Sequence, residues 1–179
     1  DEVIFERIVR LKQIRDRYES FEKNKIIQIM SQLRHHLINM DEIDKICKQI
    51  NEHERFIAYG SPTLLNLLFD FQVDMKIFDK TVLLSSVNNG KILVPKNNDL
   101  IGLFTATGRL LGCCDAKFQE VVLDTKNTKI LFSKSQINSE YIDFSFSMDT
   151  DNDYYEMHYV FLFLFDLIKT RYYELYIKE

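Results

Sequence analysis

The sequence predicts an α+β protein: an N-terminal helical arm or coiled coil, then an antiparallel β-meander closed by a long C-terminal helix. Three observations carry this. Residues 1–59 contain neither Gly nor Pro and repeat their apolar positions at steps of three and four. Between Val73 and Met148 the pattern shifts to short alternating runs broken by turn residues. Tyr154–Ile177 then reads as a helix that is apolar on nearly every side, which is the signature of a buried one.

The arm comes first. Ile4, Ile8, Leu11, Ile14 and Tyr18 form one seam, and Phe21 extends it. Ile26, Met30, Leu33, Leu37 and Met40 form a second seam, and Ile43, Cys47 and Ile50 a third. The phase breaks at Lys23-Asn24-Lys25 and again near Asp41, so one stuttering helix and a bundle of two or three both fit. The seam Ile4, Ile8, Leu11, Ile14, Tyr18 is the expected contact with a protein partner, in a hetero-oligomer.

Gly60-Ser61-Pro62 is the first punctuation, and it places a boundary between a 1–59 arm and a 60–179 α+β domain. Gly can end a helix, while Ser followed by Pro can start one. TLLNLLFDF makes a short apolar helix from Thr63. Val73, Met75 and Ile77 alternate as a strand would. TVLLSSV, Asn88-Asn89-Gly90 and KILVP form the clearest hairpin signal, because Asn-Gly supplies the positive φ of a tight turn. LIGLFTA with RLLGCC, and EVVLD with KILFS, suggest two further hairpins. Tyr141–Met148 alternates cleanly. Asp153 and Glu156 make a capping-box-like start for the last helix.

The totals exclude some classes. The net charge of −4 argues against a nucleic-acid binder. Residues 1–59 hold 11 basic and 11 acidic residues, so the whole excess lies beyond them. The apolar run at 157–168 is shorter than the ~20 residues a membrane helix needs. Three cysteines without framework spacing point to reduced thiols and an intracellular setting, nuclear or cytoplasmic. The start at DEVIFERIVR, without Met, suggests an excised or processed chain.

Chemistry-bearing motifs are sparse. Asp149–Asp153 begins like a calcium loop, but Tyr154 and Val160 stand where Gly and Glu are required. His35 and His36 point about 100° apart on a helix, with no further ligand nearby. Tyr59-Gly60-Ser61 has the Gly-Ser pair seen in nucleotidyltransferases, without the paired acids that such chemistry needs. Ala106-Thr107-Gly108-Arg109 and Gly112 lack both the phosphate-loop pattern and a strand-to-helix context. No catalytic, cofactor or metal site is therefore expected. The competing expectation is an enzyme or nucleic-acid effector whose site gathers His53, His158, Cys113, Asp115 and Asp143.

Leu123–Met148, LDTKNTKILFSKSQINSEYIDFSFSM, resembles the RWD modules at the ends of kinetochore coiled-coil proteins. There too a coil leads into a meander and a closing helix. A PH-like barrel is similar in the same way. Both resemblances imply a non-enzymatic scaffold module that docks protein partners.

Overall fold

Five short stretches rich in aliphatic and aromatic residues become strands: β1 (Arg55–Gly60), β2 (Thr81–Ser86), β3 (Asp99–Thr105), β4 (Lys129–Ser133) and β5 (Phe144–Ser147). They form one sheet of order β2-β1-β3-β4-β5, and every neighbouring pair is parallel. The computed structural model describes residues 39–87, 91–112, 115–147 and 154–178, with 154–157 as backbone. Its helices are α1 (Met40–Glu52), α2 (Pro62–Leu65), α3 (Phe69–Ile77), α4 (Arg109–Gly112), α5 (Ala116–Phe118) and α6 (Tyr154–Tyr176). A 3-10 turn (Asn66–Leu68) joins α2 to α3, and a π-helical turn (Gln119–Leu123) continues α5. Residues 37–179 form one compact unit.

The sheet overturns the antiparallel meander. The hairpin expected about Asn88–Gly90 does not form: TVLLSS is β2 and pairs in parallel with β1, while Lys91–Pro95 is not a strand. Val73, Met75 and Ile77 belong to α3, Arg109–Gly112 to α4, and the EVVLD segment to the π turn. The turn Asn88–Gly90 itself and the start of the last helix at Asp153 lie outside the described residues. Residues 55–59, expected as the end of the helical arm, lie instead in the central strand β1, and the boundary drawn between residues 59 and 60 falls inside it. From Phe56 to Gly60 the strand is buried on both faces, so its side chains show no alternation.

Each face has its own cover. Phe56, Phe104, Phe132 and Phe146 share one face, against α3 and α6. Phe104 stacks on Phe132 at 4.7 Å between ring centres, and Phe165 of α6 lies 5.5 Å from both. Gly102 is needed there, since a Cβ would sit 2.6 Å from the Phe56 ring. The other face holds Ile57, Tyr59, Ile101, Leu103 and Leu131, covered by Phe118, Val122 and Leu123. The link from β2 to β3 helps to cover it without a helix. The Tyr59 hydroxyl donates to the Leu93 carbonyl (2.6 Å), and the Leu93 amide donates to the Ser85 hydroxyl (3.1 Å).

The long C-terminal helix forms as expected. α1, the one part of the anticipated arm helices that is described, packs against it. Ile43, Ile46, Cys47 and Ile50 are its buried side. Arg171 of α6 grips Asp44 with two bonds (2.7 and 3.0 Å), and the Tyr172 hydroxyl donates to the Asn51 side chain (3.1 Å). Lys80 donates to the Asn51 and His53 carbonyls, satisfying the end of α1. Among the described residues no helix is long and apolar enough to cross a membrane.

Candidate functional site at the carboxyl edge

In an open parallel sheet, ligands bind beyond the carboxyl ends of the strands, where the strand order reverses direction. Here the chain moves outward from β1 to β2 on one side and to β3 on the other. The switch point therefore lies between β1 and β3.

The side chains at this edge share one chemistry. β1 runs into Ser61, β2 ends in Ser85-Ser86, β3 in Thr105, β4 in Ser133 and β5 in Ser147. Gly60 closes β1 because a Cβ there would meet Phe104 Cβ and carbonyl oxygen at 3.0 Å. Ser61 then caps α2, with its hydroxyl accepting from the Leu64 amide (3.5 Å) and Pro62 in the first turn. After β3, Gly108 takes φ 76°, and α4 starts from it through the bond from Leu111 N to Gly108 O (2.9 Å). A Cβ at Gly108 would also strike Ile137 Cδ1 at 2.7 Å. After β4, the Lys134 amide donates to the Ala106 carbonyl (3.4 Å), tying that loop to the one after β3. Ser133 Oγ donates to the Ser135 carbonyl (2.7 Å).

Arg109 is exposed and Lys134 half-buried just past these strand ends. The described residues that directly follow β1, β3 and β4 are Ser61-Pro62-Thr63, Ala106-Thr107-Gly108-Arg109 and Lys134-Ser135-Gln136. They include no carboxylate. Hydroxyls, loop amides and two cations suit a phosphate group and sugar hydroxyls.

The amino edge is chemically different. Arg55 donates two bonds to Asp99 (2.7 and 2.5 Å), and the Lys96 amide adds a third (2.6 Å). Burial pulls the Asp99 carboxyl up, but the guanidinium and the amide outweigh it and hold its pKa below the usual carboxylate value. Burial pulls the Lys129 ammonium down while it donates to the Thr125 and Asn127 carbonyls. A shallow cavity of ≈ 420 Å³ opens here between Leu123 and Asp143. Its buried lysine ties off the turn after the π helix, so we read this edge as scaffold.

Of the dispersed catalytic set, the four described residues each have a local place in the fold. His53 ends α1, with Nδ1 2.7 Å from the Gln49 carbonyl. Asp115 caps α5 by accepting from the Phe118 amide (2.7 Å). Asp143 accepts from the Lys129 amide (2.7 Å) at the amino edge, and His158 lies in α6. Cys113 falls outside the described residues, as do Ile4, Ile8, Leu11, Ile14, Tyr18, His35, His36 and the 149–153 loop. Among the described residues no group of three His, Cys, Asp or Glu could hold a metal. The described cysteine, Cys47, is a core residue whose thiol burial pushes up to about 12.

Gly60-Ser61 and Thr107-Gly108 were visible in the sequence but lacked a context. The structure supplies it, since both sit between a strand and a helix. The signal that could have found them is a strand, a Gly with a hydroxyl residue, and a helix start, occurring twice.

No protein-family model matches the sequence, and no curated protein does. Solved structures do match in fold. One is a Methanococcus jannaschii protein whose crystal structure infers a molecular function of 3-hexulose-6-phosphate isomerase. Its TM-score is 0.66 at 14% identity, over 83% of this chain and 87% of that one. Another is the Vibrio vulnificus NanR protein complexed with ManNAc-6P, with TM-score 0.65 and 10% identity over 94% and 68%. A third is the C-terminal domain of glucosamine-fructose-6-phosphate aminotransferase from Francisella tularensis, with TM-score 0.60 and 18% identity over 83% and 43%. The shared fold is the Rossmann-type α/β fold of phosphosugar isomerase domains. It replaces the RWD-like and PH-like readings. The kinetochore scaffold, which rested on those resemblances, falls with them, and neighbours whose names carry an isomerase or a sugar phosphate stand against the expectation of a chain that is not an enzyme.

Proposed function

We propose that this chain binds a phosphorylated sugar at the carboxyl edge, over the ends of β1, β3 and β4. The observation that carries the reading is the chemistry of that edge: hydroxyl-bearing strand ends at the switch point, flanked by Arg109 and Lys134. The loop amides and the two cations would hold the phosphate. The hydroxyls of Ser61, Thr63 and Thr107 would meet the sugar. The ligand named for the V. vulnificus neighbour supports this chemistry, as does the sugar phosphate in the name of the F. tularensis one.

Isomerisation is the second reading, supported by the M. jannaschii neighbour. Moving a proton between adjacent sugar carbons needs a positioned base. Binding is the first reading because the hydroxyls, amides and cations of this edge suit it directly.

The test is calorimetry of the full chain against hexose and pentose phosphates, with the unphosphorylated sugars as controls. Saturable binding of a phosphorylated sugar alone is the expected result. Heat signals equal for both forms, or absent for both, overturn the reading. Carbon NMR of the bound sugar separates the two readings: an interconverted aldose and ketose means catalysis.

A further inference from the structure

The segments after β3 and β4 are two short arches rooted in one apolar layer. After β4, the fully buried Ser133 hydroxyl donates to the Ser135 carbonyl (2.7 Å). Ser135 and Gln136 are exposed, and Ile137 then returns to pack against the core cluster that includes Tyr59, Leu103 and Phe118. After β3, Leu110 and Leu111 pack against that same cluster.

The two arches also meet each other at two points. The Lys134 amide donates to the Ala106 carbonyl (3.4 Å). The second point is Ile137, whose Cδ1 lies 2.7 Å from where a Cβ on Gly108 would stand. Glycine alone lets that methyl come so close, and the φ of 76° there is a glycine conformation as well.

These points bracket the two cations of the edge. Arg109 stands between Gly108 and Leu110, and Lys134 is itself the residue that ties the arches. An anion shared by two arches is cheaper to bind when packing has already fixed the arches against each other.

We infer that Ile137 is a positioning residue for the phosphate, an inference that rests on the sugar-phosphate reading of this edge. Seated on Gly108, it holds the backbone of Arg109 in register with that of Lys134, so that both charges reach one phosphate group. It acts through the two cations and not by contact with the sugar.

Two measurements test this. Amide hydrogen exchange of the unliganded full chain reads the contact. Ile137→Ala should speed exchange of the Leu111 amide, which donates to Gly108, by about tenfold, with the β3 and β4 amides unchanged. Ile137→Val, which removes Cδ1 alone, should give a smaller rise. Calorimetry with the hexose and pentose phosphates reads the role. Ile137→Ala should weaken binding about tenfold, and Ile137→Val less. On an Arg109→Ala background, Ile137→Ala should add much less, because the cation it places is gone. A residue that served folding alone would lower affinity by the same factor on both backgrounds. Variants that bind like wild type, an unchanged Leu111 amide, or full additivity with Arg109→Ala each overturn the proposal while sugar-phosphate binding stands. A wild type that binds none of these phosphates overturns the reading and the proposal together. Ile137→Val decides the matter if Ile137→Ala fails to fold.

Discussion

Arg55 and Asp99 face each other on the first rung of the β1–β3 ladder and are joined by two charge-assisted bonds of 2.7 and 2.5 Å. The carboxylate is almost wholly covered, so its partner and the Lys96 amide are what make its burial tolerable.

Asp99→Asn should therefore destabilise the fold by about 2–3 kcal/mol, measured by urea unfolding at pH 7. The folded-state pKa of Asp99 is depressed. Its contribution is thus fully present above the unfolded value of about 3.9, and it is lost as pH falls through the lower folded value. The Asn variant should lose that part of the acid limb. Equal stability of the two proteins at pH 7 would refute this role.

Sugar-phosphate affinity should fall about tenfold for Lys134→Ala and for Arg109→Ala, each removing one charge-assisted contact. The monoester phosphate gains its second charge near pH 6. Wild-type affinity should then rise between about pH 5 and 7 and level off. Calorimetry at three pH values reads this. A flat profile, or variants that bind like wild type, would remove the two cations from the site.

Phe104 is the centre of the aromatic layer between sheet and helices, stacked on Phe132 and within 6.0 Å of Phe161. Phe104→Ala should cost about 3–5 kcal/mol in thermal or urea unfolding. Gly102→Ala should cost about 1–3 kcal/mol by forcing a methyl into the Phe56 ring. A neutral Gly102→Ala would mean that the ring yields freely.

Association with a protein partner through Ile4, Ile8, Leu11, Ile14 and Tyr18 stands as a proposal on the sequence pattern alone. Charge reversal at Arg10 or Arg15, read by pull-down from the native cell, should reduce capture of that partner. Unchanged capture counts against the seam.

Much of the local structure was legible. KILFS and LIGLFTA become β4 and β3, TVLLSS becomes β2, and the final apolar stretch becomes α6. Strand direction was not, because alternation says nothing about which neighbour a strand pairs with. Phe56–Tyr59 escaped because a strand covered on both faces loses its period, and it closes a stretch without breakers. Val121 and Val122 favour strands, yet burial of Val122 and Leu123 draws their segment into a π turn. Val73, Met75 and Ile77 mimicked alternation because α3 has greasy residues on both sides. The candidate site stayed hidden for the same reason as strand direction: a hydroxyl residue after a strand means little until parallel pairing brings such strand ends to one edge.

In the link from β2 to β3, Lys91–Lys96 have no hydrogen-bonded cylinder of their own. Tyr59 and Ser85 are the two pegs that hold Leu93 there. Amide protons from Ile92 to Val94 should thus trade with deuterium well before those of β1 beneath them. Removing the Tyr59 hydroxyl should peel that segment away while the sheet stays closed, which makes it the natural first layer to open as the protein breathes.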